Sequence, residues 1–142
     1  MTSADVVVYF GHGVWDETVG SGLVLSFDDI FSGRDLDAND LPLKARLVVI
    51  VNCWGGRVEA ATQFTARKVY GLTPSLRRHG TGCVVACHWP VSANVGAAFL
   101  PLFFKSWKSG SSVSEAVSNS IENLVWGRLD RGLSALGFTI WA

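Results

Sequence analysis

Three short apolar runs stand out from the chain: Val6–Phe10 (VVVYF), Leu47–Val51 (LVVIV) and Cys83–Ala86 (CVVA), with a fourth candidate at Phe138–Trp141. They are rich in valine and do not alternate with polar residues, as expected of strands covered on both faces in a parallel sheet. Helical signals lie between them. Thr73 followed by Pro74 starts a helix and Gly80, just after His79, stops it. Ser112-Val113-Ser114-Glu115 has capping-box spacing and opens a helix through about Leu124. Asn94 to Trp107 reads as a further helix, buried on much of its surface, with Pro101 its weak point. Leu23–Phe27 is a short accessory strand or half-hairpin, and the residues after Gly11-His12-Gly13 read as loop. Strands alternating with helices predict an α/β fold, a three-layer α/β/α sandwich with a mainly parallel sheet. Val6–Phe10 has the composition of an interior strand, so the expectation is a domain lacking its N-terminal strands.

Composition narrows the function classes. A chain of 142 residues, 49% hydrophobic, can bury one substantial core, so residues 1–142 are expected to form a single domain. Lys+Arg and Asp+Glu cancel at 12 each, and no net field favours nucleic acid or an anionic membrane. Arg77–Arg78 and Lys105–Lys108 fit the solvated faces of helices. The apolar stretch at 97–104 is too short to span a bilayer, and no basic segment followed by an apolar one marks a leader. Three cysteines form no disulfide framework, so a cytoplasmic chain with reduced thiols is expected.

The candidate chemistry sits where two of the apolar runs stop. Val6–Phe10 ends on Gly11-His12-Gly13, and Leu47–Val51 ends on Asn52-Cys53-Trp54-Gly55-Gly56. Ligand sites of parallel α/β sheets lie beyond the carboxyl ends of the strands. If these two strands are neighbours, His12 and Cys53 project into one crevice. GHG is not a dinucleotide fingerprint, because Asp16 occupies the position of the third glycine. No P-loop and no GxSxG occurs. Cys83, Cys87 and His88 are close in sequence but lack a CxxC or a second ligand pair, so neither a metal nor a cofactor is called for. Cys83 reads as a buried small hydrophobe, whereas Cys87 and His88 stay open. The thiol–imidazole pair fits best: a cysteine attacks carbonyls as a thiolate and needs a base in reach and an exposed position. Alone, Cys53 would more often be a packing residue. Redox sensing with Cys87 as partner is a further alternative.

The order strand–HG, an intervening segment, then strand–x-C-x-G resembles the caspase-like cysteine peptidases. The separation, 53 minus 12 or 41 residues, is shorter than the roughly 50 of caspases. Closer is the similarity to the CHAT domain, a bacterial family related to caspases and separases and often joined to TPR repeats. Its usual run is an apolar strand ending in GHG, then GLVLS, an L-V-V-L-S-A-C segment and a V-V-A-S-x-W-P-V segment. This chain has Gly11-His12-Gly13, Gly22-Leu23-Val24-Leu25-Ser26, Leu47 through Cys53, and Gly82 through Val91 with Trp89-Pro90-Val91, in that order over nearly its whole length.

That resemblance implies a caspase-hemoglobinase-like fold and a cysteine endopeptidase cutting a protein or peptide substrate, in bacterial signalling or defence. His12 would be the general base, Cys53 the nucleophile, and the amides of Gly13 and Cys53 the oxyanion hole. Trp89 and His88, with Asp16, Asn52 and Trp54, would line the substrate groove, and TPR repeats or a partner chain would regulate it. Trp54 and Gly55 replace the family's usual Glu and Thr, Ser92-Ala93 replace its acidic pair, and Asn52 replaces an alanine and could hydrogen-bond locally to hold the turn. Val51, two before the nucleophile, would touch the substrate residue preceding the cut; offering neither charge nor hydrogen bond, it implies cleavage that does not strictly follow Asp, Arg or Lys and a preference for an apolar or small residue. The alternative is a catalytically inactive CHAT-like interaction module.

Overall fold

A computed structural model describes residues 5–16, 20–40, 42–57, 59–60, 69–127 and 137–142. In chain order the elements are β1 (Val6–Phe10), β2 (Gly13–Asp16), β3 (Gly20–Ser26), β4 (Asp29–Ser32), α1 (Gly33–Asn39), β5 (Leu47–Val51), β6 (Glu59–Ala60), β7 (Val69–Tyr70), α2 (Leu72–Arg78), β8 (Cys83–Cys87), α3 (Ala93–Lys108), α4 (Val113–Gly127) and β9 (Phe138–Trp141). The main sheet has the order β1-β5-β8-β9. The first three strands run parallel, and β9 returns antiparallel to β8. The apolar runs thus form the sheet that their composition predicts, with the fourth reversed.

Strand β5 explains why no alternation is visible in its sequence. All five of its residues are buried. Leu47, Val49 and Val51 enter a core with Val85 and Cys87 of β8 and with Val95, Phe99, Phe103, Ala116 and Val117 of α3 and α4. Val48 and Ile50 point the other way, into a second core with Val84, Ala86, Leu36 of α1, and Leu72 and Leu76 of α2. Helices on both faces make the three-layer α/β/α sandwich. A strand apolar on both sides is what that arrangement requires.

β1 has the apolar composition of an interior strand. Among the described residues it is the edge of the main sheet, and Val7, Val8 and Phe10 are exposed. Composition alone cannot separate an edge strand from an internal one when both are valine-rich. The expected accessory half-hairpin is larger than its sequence suggested. β2, β3 and β4 form a three-stranded antiparallel sheet, so the residues after His12 form a strand rather than a loop.

The helix ends follow their local chemistry, with one reassignment. Ser112 and Glu115 form the expected reciprocal cap on α4. Ser92 caps α3 by accepting from Val95 N–H at 3.3 Å, which gives a structural use to a residue standing where the family has an acid. Thr73 does not cap α2. Gly71 holds that position, and the first helical N–H, of Leu72, donates to Ser21 Oγ of β3 at 2.9 Å. The Thr73 hydroxyl is thereby free to donate elsewhere.

Candidate active site: a thiol and an imidazole in shared register

β1 pairs with β5 in a constant register, Val6 opposite Leu47 through Phe10 opposite Val51. The offset, 47 minus 6, is 41 residues, the same as 53 minus 12. Continued two residues past the strand ends, the register sets His12 opposite Cys53. Neighbouring strands lie about 4.8 Å apart, so the register brings these two positions close at the carboxyl edge of the sheet. The Gly11 N–H donates to Val51 O at 3.2 Å and carries the pairing past β1. His12 is exposed and Cys53 half-buried.

The two strand ends are locked together. A Cβ added to Gly13 would collide with the Cys53 carbonyl oxygen and with Asn52 Nδ2. Only glycine lets the two segments approach this closely. The His12 carbonyl accepts from Val24 N–H at 3.0 Å. The Tyr9 hydroxyl lies 2.8 Å from that same carbonyl and 2.8 Å from Val24 O. Burial raises the Tyr9 pKa against the lowering effect of its bond to Val24, so the phenol stays a donor. Tyr9 is a positioning residue that the sequence did not reveal, because a tyrosine in a strand reads as packing.

The turn carrying Cys53 is tied on three sides. Gly56 N–H donates to Cys87 O at 2.7 Å, Arg57 N–H to Trp54 O at 3.0 Å, and the Thr73 hydroxyl to Gly55 O at 3.0 Å. Its bend is made at an unexpected place. Trp54, not a glycine, adopts the left-handed conformation, with φ 65°. Gly55 is needed for space instead: a Cβ there would strike Asn52 Oδ1 and approach Ile50 Cγ2 to 2.9 Å. A bulky side chain in this backbone region stores strain of about 1–3 kcal/mol and clusters at functional sites.

Two residues expected to meet substrate are inside the protein. Val51 is 2% exposed, sits in the core beneath α3, and would lie 2.5 Å from a Cβ added to Gly96. The apolar-residue preference argued from Val51 therefore has no surface on which to act. Asn52 is also 2% exposed, and neither of its amide atoms has a hydrogen-bond partner among the described residues. The local hydrogen bond expected of Asn52 is not made; its carboxamide is wedged between Gly13 and Gly55 and spaces the two loops.

The other candidates sit on several elements. β8 is parallel to β5, so His88 and Trp89 follow a third carboxyl end. His88 is half-buried, and its N–H donates to Gly137 O at 2.9 Å. Trp89 is 41% exposed, with its indole over Gly137, where a Cβ would come within 2.8 Å of Nε1. Trp54 is half-buried. Asp16 is the last residue of β2, and its side chain lies outside the described residues. Cys83 packs partly buried against the core, as its strand position suggested. Cys87 is fully buried, and burial pushes its thiol up to about 12, opposed by the Asn52 backbone N–H and reinforced by nearby Cys53. A thiol held protonated is a poor nucleophile and a slow partner in exchange, which argues against Cys87 in either role.

The mainly parallel three-layer sandwich is consistent with a caspase-like α/β fold. Compared with known families, residues 1–128 match the CHAT domain, and the chain belongs to that family, which is related to cysteine peptidases. No curated protein matches the sequence. Among the described residues no helix is long and apolar enough to cross a membrane.

Proposed function

We propose that the protein is a cysteine endopeptidase in which His12 and Cys53 form the catalytic dyad. The observation that carries it is the shared register: the 41-residue offset of β1 on β5 is the offset between the two side chains. His12 takes the Cys53 proton, and the thiolate attacks a peptide carbonyl to give a tetrahedral oxyanion. The amides of Gly13 and Cys53 donate to that oxygen. The imidazolium then protonates the departing amine, and water, deprotonated by His12, hydrolyses the thioester. Trp54, His88 and Trp89 form the walls against which the substrate chain lies. The substrate is a protein cut in a cytoplasmic signalling or defence response, under control of a regulatory domain such as TPR repeats or a partner chain.

Iodoacetamide labelling tests the dyad. At neutral pH Cys53 is expected to be labelled faster than Cys83 and the buried Cys87. His12→Ala should return its reactivity to that of an ordinary thiol and abolish turnover of a protein substrate. Labelling indifferent to His12 would sink the peptidase and favour an interaction module.

A further inference from the structure

The residue four past Cys53 is an arginine whose charge is held in an unusual way. The Arg57 guanidinium carbon lies 4.1 Å from the centroid of the Trp15 ring and 5.2 Å from that of Trp54. Trp15 comes from β2, just beyond His12; Trp54 directly follows Cys53. One cation thus bridges the two segments that carry the dyad. Its backbone is fixed by the Arg57 N–H to Trp54 O bond and, one residue earlier, by Gly56 N–H on Cys87 O. Trp54 is held in its strained φ of 65° beneath this cation.

Stacking on indoles occupies the faces of a guanidinium and leaves the N–H fork at its edge unused. Among the described residues the ion pairs are those of Arg78 and His79 with Asp37, and no carboxylate pairs with Arg57. A half-buried, planar, oriented cation with a free fork is a bidentate receptor for a carboxylate. We propose that Arg57 is a specificity-determining residue that binds an aspartate or glutamate of the substrate. The acid lies near the scissile bond, since Trp15 and Trp54 flank the segments that carry His12 and Cys53. The two tryptophans aim the fork and shield it from water. The sense of this recognition as substrate selection rests on the peptidase reading, but the binding itself does not need catalysis.

The test uses the full chain carrying Cys53→Ala, so that bound peptide survives. Fluorescence anisotropy compares a library of peptides bearing Asp or Glu at successive positions with a matched library bearing Asn or Gln. Acidic peptides should bind about tenfold tighter or more. Arg57→Gln should erase the difference, and Arg57→Lys should keep only part of it, because an ammonium retains the charge without the fork. No acid-selective binding, or selectivity that survives Arg57→Gln, overturns the proposal. Lowered thermal stability of Arg57→Gln with selectivity intact would also overturn it, leaving Arg57 as a staple between two rings. Acid-selective binding together with an inert Cys53 would keep the receptor and remove the peptidase; cleavage without acid preference would do the reverse.

Discussion

At the scale of single residues, the site depends on what is missing from Gly13 and Gly55. The sequence made both glycines noticeable, but for the freedom of their backbone. The structure uses neither that way, since the left-handed turn falls on Trp54. Each gives room to Asn52, and Gly13 also to the Cys53 carbonyl. Such space requirements are invisible in one sequence, because they depend on which strand ends become neighbours. Gly13→Ala should therefore destabilise the fold by about 1–3 kcal/mol, as overpacking does, and change Cys53 labelling by more than that loss explains. Adding Asn52→Ala should not restore it, because the carbonyl oxygen of Cys53 is backbone and cannot be trimmed. Urea midpoints and iodoacetamide rates on both variants check this, and full rescue by the double variant would show that Asn52 alone sets the spacing.

At the scale of elements, the four strands of the main sheet and three of the four helices among the described residues were legible, the strands from their apolar runs and the helices from their length or end signals. α1 was not, being a seven-residue helix whose cap lies at the end of an unforeseen strand. Ser32 N–H and hydroxyl both donate to Asp35 Oδ2 at 2.7 Å, and these bonds lower the Asp35 pKa. The contact between α1 and α2 is likewise polar and long-range. Asp37 accepts from Arg78 at 2.8 Å, His79 at 3.1 Å and Ser75 at 3.2 Å. Burial raises the Asp37 pKa, but these bonds and the Arg78 charge outweigh it and leave the carboxyl below its ordinary 3.8. A carboxylate whose folded pKa is depressed adds stability that is fully present above its unfolded value and disappears as pH falls through the folded one. The Asp37 and Asp35 contributions should thus be constant from neutral pH to about 5 and fade below 3.8. The side chains of Arg78 and Asp37 are 47% and 39% exposed, so that pair is worth no more than about 1 kcal/mol. Denaturation midpoints from pH 7 to pH 3 should show a shallower acid loss in Asp37→Asn than in the parent chain; parallel curves would remove Asp37 from the account.

At the scale of the whole molecule, the sheet both separates and joins two apolar layers. Its parallel core was readable because the valine runs are apolar on both faces. The antiparallel sense of β9 and the burial of Val51 were not, because pairing order leaves no trace in local composition. β5 sends alternate residues to opposite sides, so that Val49 lies with Phe99 and Ile50 with Leu72. Phe99 is 0% exposed and stacks on Phe138 of β9 at a centroid distance of 3.7 Å. Leu72, also 0% exposed, fills the layer under α1 and α2. Truncating either to alanine should destabilise the chain by about 2–5 kcal/mol through lost transfer energy and the cavity left behind. Residues in separate layers share no contacts, so the two losses should add to within about 0.5 kcal/mol. Because every core residue of β5 and β8 has neighbours in sequence on the opposite face, both variants should still unfold in one transition with coincident fluorescence and circular dichroism curves. Two resolved transitions in Leu72→Ala would show that the α1–α2 layer melts apart from the rest. Thr73 of that layer holds the Gly55 carbonyl of the Cys53 turn, so a loosened layer would then be a direct route to a loosened Cys53 turn.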